Sequence, residues 1–166
     1  MQRRLDRAVR RFRKLQPLLQ KQKETDPTAA TLEAEAVEDD FAHIISEMKN
    51  VRYEFGGWCE ANGQTGTGNR RLDNWSNSNL SPEEQDVWML IREVRDYDIH
   101  REPISPERRP AYLSLQTTEG FLVLQTNPYV VQLVFKNGSS RTLQVLPFCT
   151  QAMMTLQKFI NEFERL

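Results

Sequence analysis

The sequence predicts an α+β fold: a bundle of three to four helices with a small antiparallel β-sheet inserted before the C-terminal helix. Three observations predict it. Apolar residues recur at helical spacing up to about residue 101, alternate over about 111–146, and return to helical spacing from Thr150 onward. The 166 residues suit one domain spanning 1–166, and 39% hydrophobic against 27% charged residues provide a core with a wet surface.

The first helix is expected over about 2–24. Leu5, Ala8, Val9, Phe12, Leu15 and Leu19 fall on one arc, and Arg3, Arg4, Arg7, Arg10, Arg11 and Lys14 on the other. Asp26 as N-cap and Pro27 at the first helical position open a second helix over about 28–60. Its apolar contributors are Leu32, Phe41, Ile44, Ile45, Met48 and Phe55, and Gly56-Gly57 suggests a kink or an early stop. Residues 62–80 hold three glycines and five asparagines and are expected to form a long, mobile loop, with Trp75 anchoring it to the core. Ser81-Pro82-Glu83-Glu84 is a strong helix start, so the third helix is expected over about 81–101, with Val87, Leu90, Ile91, Val94 and Tyr97 on its core face.

The stretch 103–110 is proline punctuation. Strands are expected at 111–117, 120–126, 129–135 and 141–146, joined by turns at Glu119-Gly120, Asn127-Pro128 and Asn137-Gly138. The last helix is expected over about 150–165, with Met153, Leu156, Phe159, Ile160 and Phe163 as its stripe.

The net charge of −1 excludes a basic nucleic-acid coat protein or an acidic disordered tail as a description of the whole chain. No apolar run approaches the ~18 residues of a spanning helix, so no membrane is expected. No apolar stretch follows the N-terminal charges as in a secretory signal. Two cysteines, Cys59 and Cys149, are too few for a disulfide framework. The three Asn-x-Ser patterns carry no meaning without a secretory route. A soluble cytoplasmic protein is expected. The near-neutral total hides an asymmetry: residues 1–24 hold nine basic and two acidic side chains, and 25–48 hold seven acidic and none basic. An antiparallel helix pair would cancel these charges, with Glu33, Glu35, Glu38, Asp39 and Asp40 beside the basic arc. Attraction of RNA phosphates by that arc is the competing reading.

Little else in the sequence suggests chemistry. His43 and His100 are the only histidines, and neither stands at metal spacing with a cysteine or another histidine, so no metal and no cofactor are expected. Asp39/Asp40 with His43 is the only local combination, and it lies in an acidic helix. The glycines of 63–68 lack the Lys-Ser or Lys-Thr of a phosphate loop. The cysteines have no local base and read as packing residues.

The informative stretch is Ile91-Arg92-Glu93-Val94-Arg95-Asp96-Tyr97-Asp98-Ile99-His100-Arg101-Glu102. Arg95 is followed by a polar residue and, after four intervening residues, by His100, late in an amphipathic helix. This resembles the Arg-x4-6-His motif of HEPN domains. Those domains are helical bundles, often dimeric, and many are metal-independent ribonucleases of toxin or defence systems. The resemblance implies a homodimer, an RNA substrate, an antitoxin or other protein partner, and catalysis by Arg95 and His100 with Asp96 in support. The strands of 111–146 depart from a purely helical bundle.

Asp96 and His100 are four residues apart, hence neighbours on one helix face, and Arg92 extends the stripe. A carboxylate beside an imidazole sets its tautomer and raises its basicity, which suits acid–base work near neutral pH. Arg95 lies about 140° around the helix from His100. A shared site therefore needs a long reach, a distorted helix or a second subunit. Three readings stand at this point. One is ribonuclease chemistry; another is a salt-bridged stripe worth ~0.3–0.5 kcal/mol per pair on a non-catalytic dimerisation or protein-interaction module. The third is a nucleotide or small-ligand sensor built around the sheet. Asp98 falls near the apolar arc, so the helix is expected to have ended by residue 98, or the carboxylate to meet a buried donor.

Overall fold

The structure, a computed structural model, describes residues 1–21, 25–62, 68–100, 105–117, 120–134 and 139–163. The side chains of 68–70, 95–100, 112–117, 120–125 and 134 lie outside the described part. The elements run α1 (Gln2–Gln20), α2 (Pro27–Ala61), α3 (Gly68–Asn79), α4 (Pro82–His100), β1 (Glu107–Arg108), β2 (Ala111–Thr117), β3 (Gly120–Thr126), β4 (Tyr129–Val134), β5 (Ser140–Gln144) and α5 (Val145–Phe163). The α+β class and the placement of the strands before the closing helix are as predicted, with five helices among the described residues.

α1 and α2 form the antiparallel pair that was one of the two readings of the charge asymmetry. Leu5, Ala8, Phe12, Leu15 and Leu19 of α1 are buried against the long α2. A ladder of ion pairs lines the seam: the N-terminal ammonium and Arg4 Nε hold Glu54 at 2.7 and 2.8 Å, Arg7 Nε holds Glu47 at 2.8 Å, and Arg11 Nη1 holds Asp40 at 2.9 Å. The partners lie further along α2 than expected, because an antiparallel neighbour sets the N-terminal turns of α1 beside the C-terminal half of α2. Only Asp40 of the five expected acids meets an α1 arginine in these pairs.

α2 starts as read: the Asp26 carboxylate accepts from the Thr28 and Ala29 amides at 2.8 and 2.9 Å. It does not stop at Gly56-Gly57 but runs on to Ala61. Its 35 residues span roughly 50 Å. Phe55 and Cys59 on either side are fully buried and hold the helix through the glycines. Leu32, expected inside, is exposed, and Val37, Val51 and Cys59 take up the core face instead.

The expected mobile loop of 62–80 is corrected by α3. Leu72, Trp75 and Leu80 are buried, and Trp75 meets Trp88, Phe159 and Phe163 at centroid distances of 5.3, 4.9 and 6.3 Å. Burial of a few large side chains overrides the low helix propensity of asparagine and glycine here. The glycine-rich residues 63–67 lie outside the described residues.

α4 opens on the expected capping box. The Glu84 amide donates to Ser81 Oγ at 3.3 Å, and the Ser81 amide donates to Glu84 Oε2 at 2.8 Å. The helix continues through His100, which corrects the reading that it ends by residue 98.

The strands form two small antiparallel sheets. β2 and β3 make a hairpin in register from Ala111↔Thr126 to Thr117↔Gly120. β4 lies between β1 and β5 in the other. The chain passes from one sheet to the other at Asn127-Pro128, because proline cannot donate to a continuing ladder. β1 was not expected in the proline-rich stretch; two residues between Pro106 and Pro110 suffice for it. The expected turns over residues 118–119 and 135–138 fall outside the described residues, as does the expected end of the last helix at 164–166. The first helix, expected to about residue 24, ends instead at Gln20, and Lys21 after it is extended, at φ −63° and ψ 143°. α5 begins at Val145 rather than Thr150. Val145, Phe148, Cys149 and Ala152 are buried at helical spacing, and Pro147 stands in the first turn, where its missing N–H costs nothing.

One continuous cluster of buried apolar side chains runs through all five helices and reaches β4 and β5. At its centre Trp88, Phe55 and Phe159 are each 0% exposed, and each buried side chain of this size contributes ~1.5–3 kcal/mol. No helix among the described residues is long and apolar enough to cross a membrane.

Candidate functional site

The candidate residues Arg95, Asp96 and His100 occupy the last two turns of α4. Because the helix is unbroken there, positions 96 and 100 stand one turn apart on one face, and position 95 lies about 140° around the helix from position 100. Their side chains lie outside the described residues, as does that of Asp98. Arg92, the start of the proposed stripe, is exposed.

Two contacts set the direction of α4 against α2. Arg52 Nη1 donates to the Trp88 carbonyl at 3.1 Å, and Ser105 Oγ, five residues past the end of α4, donates to Glu38 Oε2 at 2.8 Å. The two helices are therefore antiparallel, and the last turns of α4 run beside the stretch of α2 between Arg52 and Glu38. Both helices turn their apolar faces inward: Phe41, Ile45, Met48 and Phe55 from α2; Val87, Ile91 and Val94 from α4. By helix spacing, Lys49 and Tyr53 of α2 fall off its core row Phe41, Ile45, Met48 and Phe55, and Arg92 falls off the core row of α4.

This seam contains side chains that periodicity did not single out. Arg52 is buried with its guanidinium 4.7 Å from the centroid of the Trp88 ring. Lys49 is only 7% exposed, and its ammonium lies 5.2 Å from the ring centroid of Tyr53, which is 63% exposed. The sequence did carry a sign of Arg52. It continues the apolar series Phe41, Ile45, Met48 and precedes Phe55 by three, so a charge stands in a core row. Glu93 is on the other flank of α4, where its charge acts on Arg141.

A second charged cluster lies at the opposite end of α2. Glu33 Oε1 accepts from Arg108 Nη2 at 2.7 Å and from the Tyr129 hydroxyl at 2.9 Å, and Lys21 Nζ is 3.4 Å from Glu33 Oε2. Arg108 also donates to the carbonyls of Leu18, Lys21 and Asn127 at 3.1, 2.9 and 3.0 Å, and through Nε to Glu33. All five of its N–H groups are thus used, two of them on carbonyls at the open end of α1. Burial works to raise the Glu33 carboxyl, but the hydrogen bonds from Arg108 and Tyr129 outweigh it and hold the group below the usual carboxylate range. A cavity of about 320 Å³ beside Glu33, Arg108 and Tyr129 is walled mainly by apolar groups. With every donor of Arg108 committed, this cluster clasps α1, α2 and the β1–β4 sheet together.

Comparisons with protein-family models, with curated proteins and with solved structures give no match to this chain. Function therefore has to be argued from the residues themselves. Among the described residues no three His, Cys, Asp or Glu side chains gather as metal ligands. Asp39/Asp40 and His43 do not converge: His43 Nδ1 is bound at 2.7 Å to the Asp39 carbonyl and Asp40 to Arg11. Cys59 and Cys149 are buried free thiols, and burial pushes the Cys149 thiol far up, away from nucleophilic use.

Proposed function

We propose that the chain is a metal-independent ribonuclease of the HEPN type, acting as a homodimer at the C-terminal end of α4. The single observation that carries this reading is the unbroken course of α4 to His100, which keeps positions 96 and 100 one turn apart on one face of the helix. In this reading His100 takes the proton of a ribose 2′-hydroxyl as it attacks the adjacent phosphorus. The 5′-oxygen leaves with a returned proton, and a 2′,3′-cyclic phosphate remains. Arg95 offsets the charge that develops on the phosphoryl oxygens, and Asp96 orients the imidazole. The angle of about 140° between positions 95 and 100 on a regular helix favours a site shared by two copies, each supplying what the other lacks. DNA, without a 2′-hydroxyl, is not cleaved.

The test is cleavage of RNA by the purified protein in EDTA, with analysis of the ends produced. Cyclic phosphate ends and loss of activity in Arg95→Ala and His100→Ala, with circular dichroism unchanged, are expected. Equal activity in both variants and the wild type would end the proposal. The second reading, a non-catalytic module that binds a protein such as an antitoxin, rests on the same end of α4. It is favoured if His100→Ala leaves partner capture intact and no cleavage occurs.

A further inference from the structure

The outer side of the α2–α4 seam has a feature that strand cleavage alone does not require. Tyr53 is the most exposed aromatic ring among the described residues, at 63%, in a protein that buries Phe55 and Trp88 completely. Its ring is not simply loose. The Lys49 ammonium sits at one side of it, 5.2 Å from the centroid, and Lys49 is itself 7% exposed, so a buried cation holds an exposed ring in place. An exposed tyrosine offers a flat surface to which a base can stack, and stacking tolerates any base because each has a π-face.

The placement of this ring relative to α4 follows from helix geometry. α2 and α4 are antiparallel, with Arg52 beside Trp88. Position 53 is then level with the first half of α4, and Lys49 is level with about position 91. With both apolar faces turned to the core, Lys49, Tyr53 and Arg92 share one outer flank, and α4 continues along that flank toward 95 and 100. Arg92 is exposed there and adds a cation that a phosphate can meet. The partly exposed Glu93 is turned to the other side, toward Arg141.

We propose that Tyr53, braced by Lys49, is a base-stacking platform for single-stranded RNA, with Arg92 as the adjoining phosphate contact. The inference rests on the ribonuclease reading for its substrate class and adds a selection: unpaired nucleotides are taken, because a base inside a duplex has no free face for Tyr53. Tyr53 is a specificity-determining residue. It touches a base a few nucleotides from the scissile bond and takes no part in proton transfer.

The experiment measures binding apart from cleavage. A fluorescently labelled single strand with 2′-O-methyl riboses cannot react, and its anisotropy is followed against the full chain, beside the same sequence as a duplex. Wild type is expected to bind the single strand more tightly than the duplex. Tyr53→Ala should weaken single-strand binding about tenfold, while Tyr53→Phe stays within about twofold, since the phenylalanine ring still stacks. Arg92→Ala should lower the slope of log affinity against log salt by about 0.7, the value for one phosphate contact on a single strand. Equal single-strand binding by wild type and Tyr53→Ala, or no binding by wild type, overturns the inference. So does a Tyr53→Ala protein whose only change in sedimentation is loss of a dimer, which would make the ring a contact between copies. Tyr53-dependent binding with natural RNA left uncut would remove the ribonuclease reading alone. Normal cleavage with Tyr53-independent binding would remove this one alone.

Discussion

The two ends of α2 both bring charge into contact with aromatic rings, and they use it in opposite ways. At the Glu33 end, Arg108 lies 4.4 Å from the ring centroid of Tyr129, and every guanidinium N–H has an acceptor. The ring is buried and the carboxylate is neutralised. At the Lys49 end the cation is buried but the ring it supports faces solvent, level with the α4 turns that precede Arg95 and His100. A saturated cluster has nothing left to offer a ligand and stabilises the fold. An exposed ring over a buried cation adds little stability and is open to a partner. The difference separates a structural clasp from a candidate binding surface without any appeal to residue type.

This contrast can be broken, and the largest expected effect is on catalysis. His100→Ala should lower RNA cleavage by about 10²–10⁴-fold, the usual contribution of a general acid–base group, with an unchanged urea midpoint. A loss of stability matching that of a clasp variant would show that the α4 end is structural after all.

Arg108→Ala should do the reverse. It strands Glu33 in a buried site and frees carbonyls at the end of α1, at a cost of about 3–5 kcal/mol in urea denaturation. Cleavage per folded molecule should stay as in wild type. An Arg108→Ala protein as stable as the parent would refute the clasp.

The clasp also predicts a dependence on pH. The Glu33 carboxyl lies below its ordinary value in the folded chain, so the unfolded chain takes up the proton first as the solution is acidified. Its stabilising contribution is therefore present above about pH 4.5 and is lost as pH falls from there through the lower folded-state value. Glu33→Gln should be less stable at neutral pH and show a shallower fall on the acid side, read from urea midpoints across that range. An acid limb identical to that of wild type would place the sensitivity elsewhere, for instance at Glu54, which burial works to raise but which the N-terminal ammonium and Arg4 hold down.

The smallest effect is expected at the rim. Asp86 and Arg141 form a bidentate pair joining α4 to β5, with both side chains close to half exposed. Asp86→Asn should cost under about 1 kcal/mol and lose even that in high salt. A larger loss would mean that this pair, and not only the Arg108 cluster, fastens the sheet to the helices.

Much of the fold was legible in the chain. Asp26-Pro27 and Ser81-Pro82-Glu83-Glu84 announced two helix starts because caps act through neighbouring residues alone. The alternating stretches of β2 and β3 and the stripe of α5 were equally local. α3 was not legible, because nothing in its polar run distinguishes a helix from a loop until Trp75 finds the rings of Trp88 and Phe159. β1 was missed for a like reason: two residues become a strand only when β4 lies beside them. At the candidate site, the motif from Arg95 to His100 could be read directly, but Lys49, Arg52 and Tyr53, which stand beside the first half of α4, could not. They are some forty residues away in sequence and meet α4 only through antiparallel packing.

The sequence by itself determined the class, the helix starts, the strand region and the pairing of a basic with an acidic helix, since each depends on spacing and charge within a few turns. Tertiary structure alone decided which acids pair with which arginines, that the glycines of α2 stay helical, and that Arg108 closes one end of α2 while Lys49 lifts an aromatic ring at the other. The physical reason is range. Caps, periods and turns are properties of adjacent residues, whereas burial of a charge and exposure of a ring are settled by whatever element the fold places across from them.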